Sequence, residues 1–106
     1  MSPGRRWSIQ DTQGNSILLT QERWEHIVEG LPEMAEHEHQ LREAVRLGVR
    51  SQDSLHPQKF RYLRAFPSLW GDNTHLEAVV LFRFEENEGR LVANNYVVTA
   101  YLKEIG

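Results

Sequence analysis

The sequence predicts an α+β fold in which two N-terminal helices pack on a C-terminal antiparallel β-sheet. Apolar residues recur at helical spacing between residues 20 and 47, which predicts the helices. From residue 59 onwards the chain is rich in Val, Leu, Phe and Tyr, which favour strands, and a glycine-containing turn separates the last two apolar segments. The length of 106 residues and the ordinary hydrophobic share of 40% predict one domain over residues 1–106.

The first part of the chain is predicted to form a hairpin followed by a helix. Residues 7–10 and 16–19 flank a polar stretch that contains Gly14, which predicts two short strands joined by a turn. Thr20 is the predicted N-cap of a first helix over residues 21–29. The apolar side of this helix comprises Trp24, Ile27, Val28 and Leu31.

A second helix is predicted over residues 32–47. Gly30 ends the first helix, Pro32 suits the first turn of the next one, and Gly48 closes it. The apolar side of the second helix comprises Met34, His37, Leu41, Ala44 and Val45.

Four strands are predicted after the second helix. They cover residues 49–51, 59–66, 77–85 and 91–102, with a loop at residues 67–74 and a hairpin turn at residues 86–89. Because successive side chains of a strand point to opposite faces, the sequence assigns two faces to this sheet. The predicted core face carries Phe60, Tyr62, Phe66, Ala78, Val80, Phe82, Phe84, Val92, Tyr96, Val98, Ala100 and Leu102. The predicted opposite face carries Lys59, Arg61, Glu77, Arg83, Asn95, Thr99 and Tyr101, mixed with Leu63, Val79, Leu81 and Val97.

Composition excludes several classes of protein. The chain has no cysteine, which excludes disulfides, thiolate metal sites and a cysteine nucleophile. The glycines are scattered, so the chain has neither a phosphate loop nor a dinucleotide fingerprint. No apolar run reaches the ~18 residues of a membrane helix, and none follows the N-terminal arginines as in a signal peptide. We therefore expect a cytoplasmic protein with no membrane partner.

Charge is distributed unevenly along the chain. The net charge of −3 by itself disfavours a nucleic-acid partner. Between residues 42 and 64 the balance reverses, with Arg42, Arg46, Arg50, Lys59, Arg61 and Arg64 against Glu43 and Asp53. This reversal allows a local basic surface on an acidic protein.

His26 is the first candidate for chemistry. It follows Trp24 by two positions, so a helix rotates it about 200° away from that tryptophan and towards solvent. An exposed imidazole can accept or donate a proton near neutral pH. The alternative interpretation is an ordinary solvated histidine.

The Glu-His-Glu-His run at residues 36–39 favours a polar helix face over a metal site. His37 and His39 point to nearly opposite sides of a helix, whereas zinc-binding helices use ligands four positions apart. Glu33 and His37 have that separation, but one such pair is a weak signal. We therefore predict neither a metal nor a cofactor.

Cationic and aromatic residues alternate in the strand predicted at residues 59–66. Lys59, Arg61 and Arg64 could bind phosphate while Phe60 and Tyr62 support a base. The alternative is a strand whose outer face is kept soluble and protected by charges.

Two segments, taken together and in order, resemble a known superfamily. Residues 17–27 read Ile-Leu-Leu-Thr-Gln-Glu-Arg-Trp-Glu-His-Ile and are followed by Pro-Glu-Met at residues 32–34, while residues 97–101 read Val-Val-Thr-Ala-Tyr. They resemble the opening helix and the closing strand of small phage- and mobile-element-associated domains in the barnase/EndoU/colicin/RelE-like (BECR) ribonuclease superfamily. The resemblance covers about residues 16–102.

The resemblance implies a metal-independent RNA endonuclease of the BECR fold, deployed as a toxin or effector and restrained by an antitoxin or immunity protein. RNA carries its own nucleophile, the 2′-hydroxyl, so cleavage of the adjacent phosphate needs a proton acceptor, a proton donor and positive charge. Carried over by position, His26 matches the helix histidine, Lys59 or Arg61 the basic residue of the sheet, and Thr99 the terminal hydroxyl. Tyr101 follows in the same motif.

Four further residues are expected to contact the RNA substrate, namely Arg83, Arg64, Asn95 and Tyr62. One departure from the superfamily pattern concerns activity: a histidine commonly precedes Pro-Glu, and this chain has Leu31 there. This departure favours the alternative function, a catalytically weakened or inactive BECR-fold protein that binds protein or RNA. The oligomeric state is not predicted.

Overall fold

The computed structural model describes residues 4–106 and shows an α+β fold with two α-helices and a mostly antiparallel sheet. In chain order the elements are β1 (Arg5–Gln10), β2 (Ser16–Thr20), α1 (Gln21–Gly30), a short 3-10 helix (Pro32–Glu36), α2 (Glu38–Leu47), β3 (Val49–Gln52), β4 (Lys59–Ala65), β5 (His75–Leu81), β6 (Phe84–Asn87), β7 (Arg90–Ala93) and β8 (Asn95–Lys103). Within the described residues, neither helix has the length and apolar character needed to cross a membrane.

The main sheet has six strands in the order β1-β2-β8-β5-β4-β3, and β6 and β7 form a separate two-stranded sheet. The predicted C-terminal antiparallel sheet is confirmed in part: β3, β4, β5 and β8 pair antiparallel, but the N-terminal hairpin also belongs to this sheet. Its second strand runs parallel to β8, where Ile17 faces Asn95 and Leu18 faces Tyr96. Parallel neighbours need a long crossover between them. The helices and strands between β2 and β8 supply that connection.

One buried cluster joins residues of both helices to residues of the sheet. Its members are Ile17, Leu19, Trp24, Ile27, Met34, Leu41, Ala44, Val45, Tyr62, Leu69, Leu76, Ala78, Val80, Val97 and Ala100. The helical members are at the positions that the apolar spacing predicted. The predicted N-cap is also confirmed, since the Thr20 hydroxyl accepts a hydrogen bond from the Arg23 backbone N–H at 3.1 Å.

The predicted second helix is divided into two parts. The first is the 3-10 helix, which ends where the His37 N–H donates to the Met34 carbonyl at 2.8 Å. His37 has φ −121° and ψ 23°, outside the α-helical region, and α2 begins after it. The His37 side chain is buried and its Nε2 accepts the Trp70 backbone N–H at 3.1 Å. The break in the predicted helix therefore coincides with a contact between His37 and Trp70, which is distant in sequence.

The predicted strand at residues 77–85 is cut short by the separate β6–β7 hairpin. Its turn contains Glu88 and Gly89, with φ angles of 53° and 77°, at the place where the sequence predicted a turn. Phe84 and Val92 were predicted to face the core, but they are 70% and 47% exposed on this hairpin. Because the β6–β7 hairpin is not part of the main sheet, the alternation of its side chains does not indicate which of them face the core.

A β-bulge in β8 reverses part of the predicted face assignment. Val79 faces Thr99 while Val80 faces Val97, so Val98 is an extra residue without an opposite partner. An extra residue shifts every side chain before it to the other face. Val97 is therefore fully buried, although the sequence assigned it to the opposite face.

Candidate functional site

Four of the predicted site residues, namely Lys59 and Arg61 on β4 and Thr99 and Tyr101 on β8, lie on one face of the sheet. Ala78, Val80 and Ala100 belong to the buried cluster, so the alternating residues of these central strands form the opposite face, which we call the open face. The open face comprises Lys59, Arg61 and Leu63 on β4, His75, Glu77, Val79 and Leu81 on β5, and Thr99, Tyr101 and Lys103 on β8. The strand register places Arg61 beside Val79, and Val79 beside Thr99.

A hydrogen-bonded group of side chains, here called the Arg61 network, crosses the three central strands. The Arg61 Nη1 atom donates to the Tyr101 hydroxyl at 2.7 Å and lies 3.5 Å from Glu77 Oε1. The other Glu77 oxygen accepts from Lys103 Nζ at 2.9 Å. The Glu77 side chain is only 5% exposed, so these two cations compensate its charge. The network thus fixes the position of Arg61 and of the Tyr101 hydroxyl.

Asp53 connects the Arg61 network to the loop between β3 and β4. Its Oδ2 accepts from Arg61 Nη2 at 3.2 Å, and its Oδ1 accepts the backbone N–H groups of Leu55 at 2.8 Å and His56 at 3.0 Å. The two backbone hydrogen bonds are the main cause that lowers the pKa of Asp53. One ionised carboxylate therefore holds both a guanidinium of the open face and the backbone of the adjacent loop.

A basic depression adjoins the network, lined by His56, Gln58, Lys59, Leu81 and Arg83. Backbone contacts shape it: the Phe82 N–H donates to the Gln58 carbonyl at 2.8 Å, and the Lys59 N–H donates to the His56 carbonyl at 2.9 Å. Within residues 4–106 neither Lys59 nor Arg83 forms an ion pair. Two uncompensated cations and an imidazole therefore share one concave surface.

The structure does not bring His26 to the open face. Trp24 and Ile27 direct one side of α1 into the buried cluster, and His26 is exposed on the other side of that helix. The cluster is built on the sheet face opposite to Arg61 and Thr99. The prediction that His26 is exposed is confirmed, but its position separates it from the predicted residues of the open face.

Three further predicted substrate contacts also lie away from the open face. Tyr62 is buried and donates its hydroxyl to Asp11 at 2.5 Å. Asn95 is buried and donates to the Ser16 carbonyl at 3.2 Å. Arg64 faces Leu76 on the core side, with its guanidinium 5.2 Å from the centre of the Phe66 ring. These side chains make contacts within the fold.

The arrangement includes residues that the sequence reasoning did not single out. Lys103 continues the alternation of Thr99 and Tyr101 along the strand, so the sequence could have placed it on the same face. His56 and Asp53 are in a loop, where no periodic pattern indicates which way a side chain points. Their place beside the open face follows from the conformation of that loop.

The histidines of residues 36–39 have different environments. His37 is buried and His39 is exposed, in keeping with their predicted positions on different sides of the chain. No group of three or more His, Asp or Glu side chains within residues 4–106 is placed to hold a metal ion. Comparison with known proteins finds no family model, curated protein or solved structure that matches the chain.

Proposed function

We propose that this chain is a metal-independent RNA endonuclease of the BECR fold that cleaves RNA on the open face. The observation that carries the proposal is the basic depression, in which Lys59 and Arg83 stand beside His56 and adjoin the Arg61 network. Positive charge on an otherwise acidic chain concentrates where an RNA phosphate could lie. The resemblance of residues 17–27 and 97–101 to the superfamily supports the same function.

The proposed chemistry uses the substrate's own nucleophile. The 2′-hydroxyl oxygen attacks the adjacent phosphorus, its proton passes to a base, and the 5′-oxygen of the next nucleotide leaves with a proton from an acid. The products are a 2′,3′-cyclic phosphate and a free 5′-hydroxyl. Lys59 and Arg83 stabilise the negative charge of the pentacoordinate phosphorus. This step needs proton carriers and cations, and it takes no chemistry from a metal or cofactor.

In this proposal His56 is the imidazole that transfers a proton, in place of His26. Its backbone is held by Asp53, and His56 is one of the residues that line the depression with both cations. The Tyr101 hydroxyl, fixed by Arg61 at 2.7 Å, is the second proton carrier, and Thr99 is exposed nearby on the same strand. The proposed place of action is the cytoplasm, as a toxin or effector held by an antitoxin or immunity protein.

The test is cleavage of a fluorescein-labelled single-stranded RNA in EDTA by the purified chain and its variants. We expect His56→Gln and Arg83→Gln to lower kcat/KM by about 10²–10⁴, the usual contribution of a proton carrier or charge-stabilising group. His26→Gln is the matched control and should retain wild-type activity. Loss of activity in His26→Gln with full activity in His56→Gln would contradict this assignment.

A noncatalytic RNA-binding module on the same face is the second candidate function. It is favoured by the Arg61 network, because both oxygens of Glu77 are bound by cations and Asp53 is bound by Arg61. These carboxylates are not free to act as bases. If the chain is such a module, it should bind RNA without cleaving it, and both Lys59→Gln and added salt should weaken the binding. If the wild-type chain neither binds nor cleaves RNA at low salt, both functions are wrong.

A further inference from the structure

A second group of cationic side chains surrounds a depression between β1 and the start of α2. The depression, here called the β1–α2 depression, is lined by Arg5, Arg6, Trp7, Gln21, Glu38, His39 and Arg42. Strand β1 is an edge strand, and β2 separates it from β8. This surface is therefore distinct from the open face.

Arg6, one of the lining residues, connects β1 to α1 and α2. Its Nη2 donates to Glu38 Oε1 at 2.7 Å, its Nε contacts the other oxygen of Glu38, and its Nη1 donates to Gln21 Oε1 at 2.7 Å. The guanidinium carbon lies 4.9 Å from the centre of the Trp24 ring. The Trp7 Nε1 also donates to Glu38, at 3.1 Å. Arg6 and Glu38 thus compensate each other, and both oxygens of the carboxylate have donors.

Three other cationic or titratable groups of the depression lack such partners. Arg5, His39 and Arg42 form no side-chain hydrogen bond and no ion pair with any residue between 4 and 106. Arg42 follows His39 by three positions on α2, so the two side chains are neighbours on one side of that helix. The one carboxylate among the lining residues is already bound. The depression therefore has an excess of two guanidinium charges and an imidazole.

We propose that the β1–α2 depression is a binding site for a phosphate group. A guanidinium presents two parallel N–H donors that match two oxygens of a phosphate. Two guanidinium groups and an imidazole around one concave surface can contact several oxygens of a tetrahedral anion. A single planar carboxylate offers only two oxygens. The ligand is a phosphate-bearing compound, and its source is free phosphate, a mononucleotide or an RNA backbone.

The experiment measures the binding of inorganic phosphate, adenosine 5′-monophosphate and a short single-stranded RNA to the full chain at low salt by calorimetry. Arg42→Gln and Arg5→Gln are each expected to weaken phosphate binding about tenfold, since each removes a charge-assisted donor. Arg46→Gln is the matched control: Arg46 is also on α2, but it is paired with Glu43 at 2.7 Å. This control should bind phosphate with wild-type affinity.

The outcomes separate this site from the proposed function. Phosphate binding that is weakened in Arg5→Gln and Arg42→Gln but kept in Arg46→Gln belongs to the β1–α2 depression, whereas RNA cleavage on the open face is tested separately by His56→Gln. Equal affinities for phosphate and the mononucleotide identify the phosphate group alone as the ligand, whereas much tighter RNA binding lost in Arg42→Gln identifies the RNA backbone. The proposal is overturned if wild-type chain does not bind inorganic phosphate, or if both Arg5→Gln and Arg42→Gln bind it as wild type does. Tighter binding of a polyglutamate peptide than of every phosphate probe would also overturn it, in favour of a protein-docking site.

Discussion

A buried hydrogen bond between Tyr62 and Asp11 connects the N-terminal hairpin turn to β4. Tyr62 is 1% exposed, and its hydroxyl donates to Asp11 Oδ2 at 2.5 Å. Asp11 also accepts the backbone N–H groups of Gln13 at 2.9 Å and Asn15 at 2.8 Å, and the Asn15 side-chain amide at 3.0 Å. The substitution Tyr62→Phe removes one of these four donors and leaves the ring in place.

The expected loss of stability follows from the charge of the acceptor. A hydrogen bond to a charged group contributes about 1.5–3 kcal/mol, and the other three donors keep Asp11 from becoming unpaired. Tyr62→Phe should therefore lower the free energy of unfolding by about 1.5–3 kcal/mol. For a chain of 106 residues this corresponds to a fall in Tm of about 7–13 °C.

The loss should also depend on pH. Burial alone would raise the pKa of Asp11, but the hydrogen bonds from Tyr62, Asn15 and Gln13 outweigh it and lower the pKa. A carboxyl whose folded-state pKa is depressed stabilises the fold above its unfolded pKa, about 3.9, and loses that contribution as pH falls through the folded pKa. Tyr62→Phe removes one of the hydrogen bonds that lower the pKa of Asp11. The stability difference between wild type and variant is therefore largest at neutral pH and shrinks below about pH 4.

The assay is urea denaturation of wild type and Tyr62→Phe at several pH values between neutrality and the acid limit of the folded state. Tyr96→Phe is the matched control, because Tyr96 is half-buried and its hydroxyl has no partner within residues 4–106. The control should change stability by less than about 0.5 kcal/mol. Equal losses in the two variants, or a loss in Tyr62→Phe that does not change with pH, would refute the argument.

Two further substitutions test local features of the helices. Thr20→Ala removes the hydroxyl that accepts the Arg23 N–H and should destabilise the chain by about 1 kcal/mol in thermal melts, whereas Thr20→Ser should retain most of the stability. Gly48→Ala should destabilise it by about 1–3 kcal/mol, since the added Cβ would lie 2.3 Å from the Ala44 carbonyl oxygen. Gly30→Ala, where no atom of residues 4–106 crowds such a Cβ within 4 Å, is the control; a melt as low as that of Gly48→Ala would contradict the steric explanation.

The first helix and the first hairpin could be predicted because their causes are local. Apolar spacing identified the buried Trp24 and Ile27, and a hydroxyl before the helix identified the cap at Thr20. Gly14 has a φ of 82°, a conformation that glycine adopts without strain, so its place in the turn was visible in the sequence. Each of these features depends on residues within about one or two turns of chain.

The misassigned parts of the sheet have non-local causes. The extra residue Val98 depends on how β8 pairs with β5, and nothing in the apolar sequence of that strand distinguishes it from an ordinary strand position. The parallel pairing of β2 with β8 joins residues such as Leu18 and Tyr96, which are far apart in sequence. Register between distant strands is set by the packing of the whole sheet. Periodicity within one strand therefore does not determine it.

The candidate site, like the fold, could be predicted only in part. Strand parity predicted that Arg61, Thr99 and Tyr101 share a face, and the structure places them there. The helical period predicted that His26 is exposed, but it did not determine on which side of the sheet the helix lies. Where an exposed helical side chain lies relative to a site on the sheet depends on how the helix packs on that sheet. The spacing of apolar residues within the helix does not determine this packing.

Under the proposed function the proton carrier is His56 of the β3–β4 loop, and Asp53 connects that loop to the Arg61 network. Its carboxylate binds Arg61 through one oxygen and the backbone N–H groups of Leu55 and His56 through the other. The conformation of the β3–β4 loop is thereby tied to the guanidinium that fixes the Tyr101 hydroxyl. Asp53→Asn removes the charge that holds both, so under the proposed function it should reduce cleavage as strongly as loss of Arg61 does. Because both substitutions act on one connected group, the double variant should be little worse than either single one.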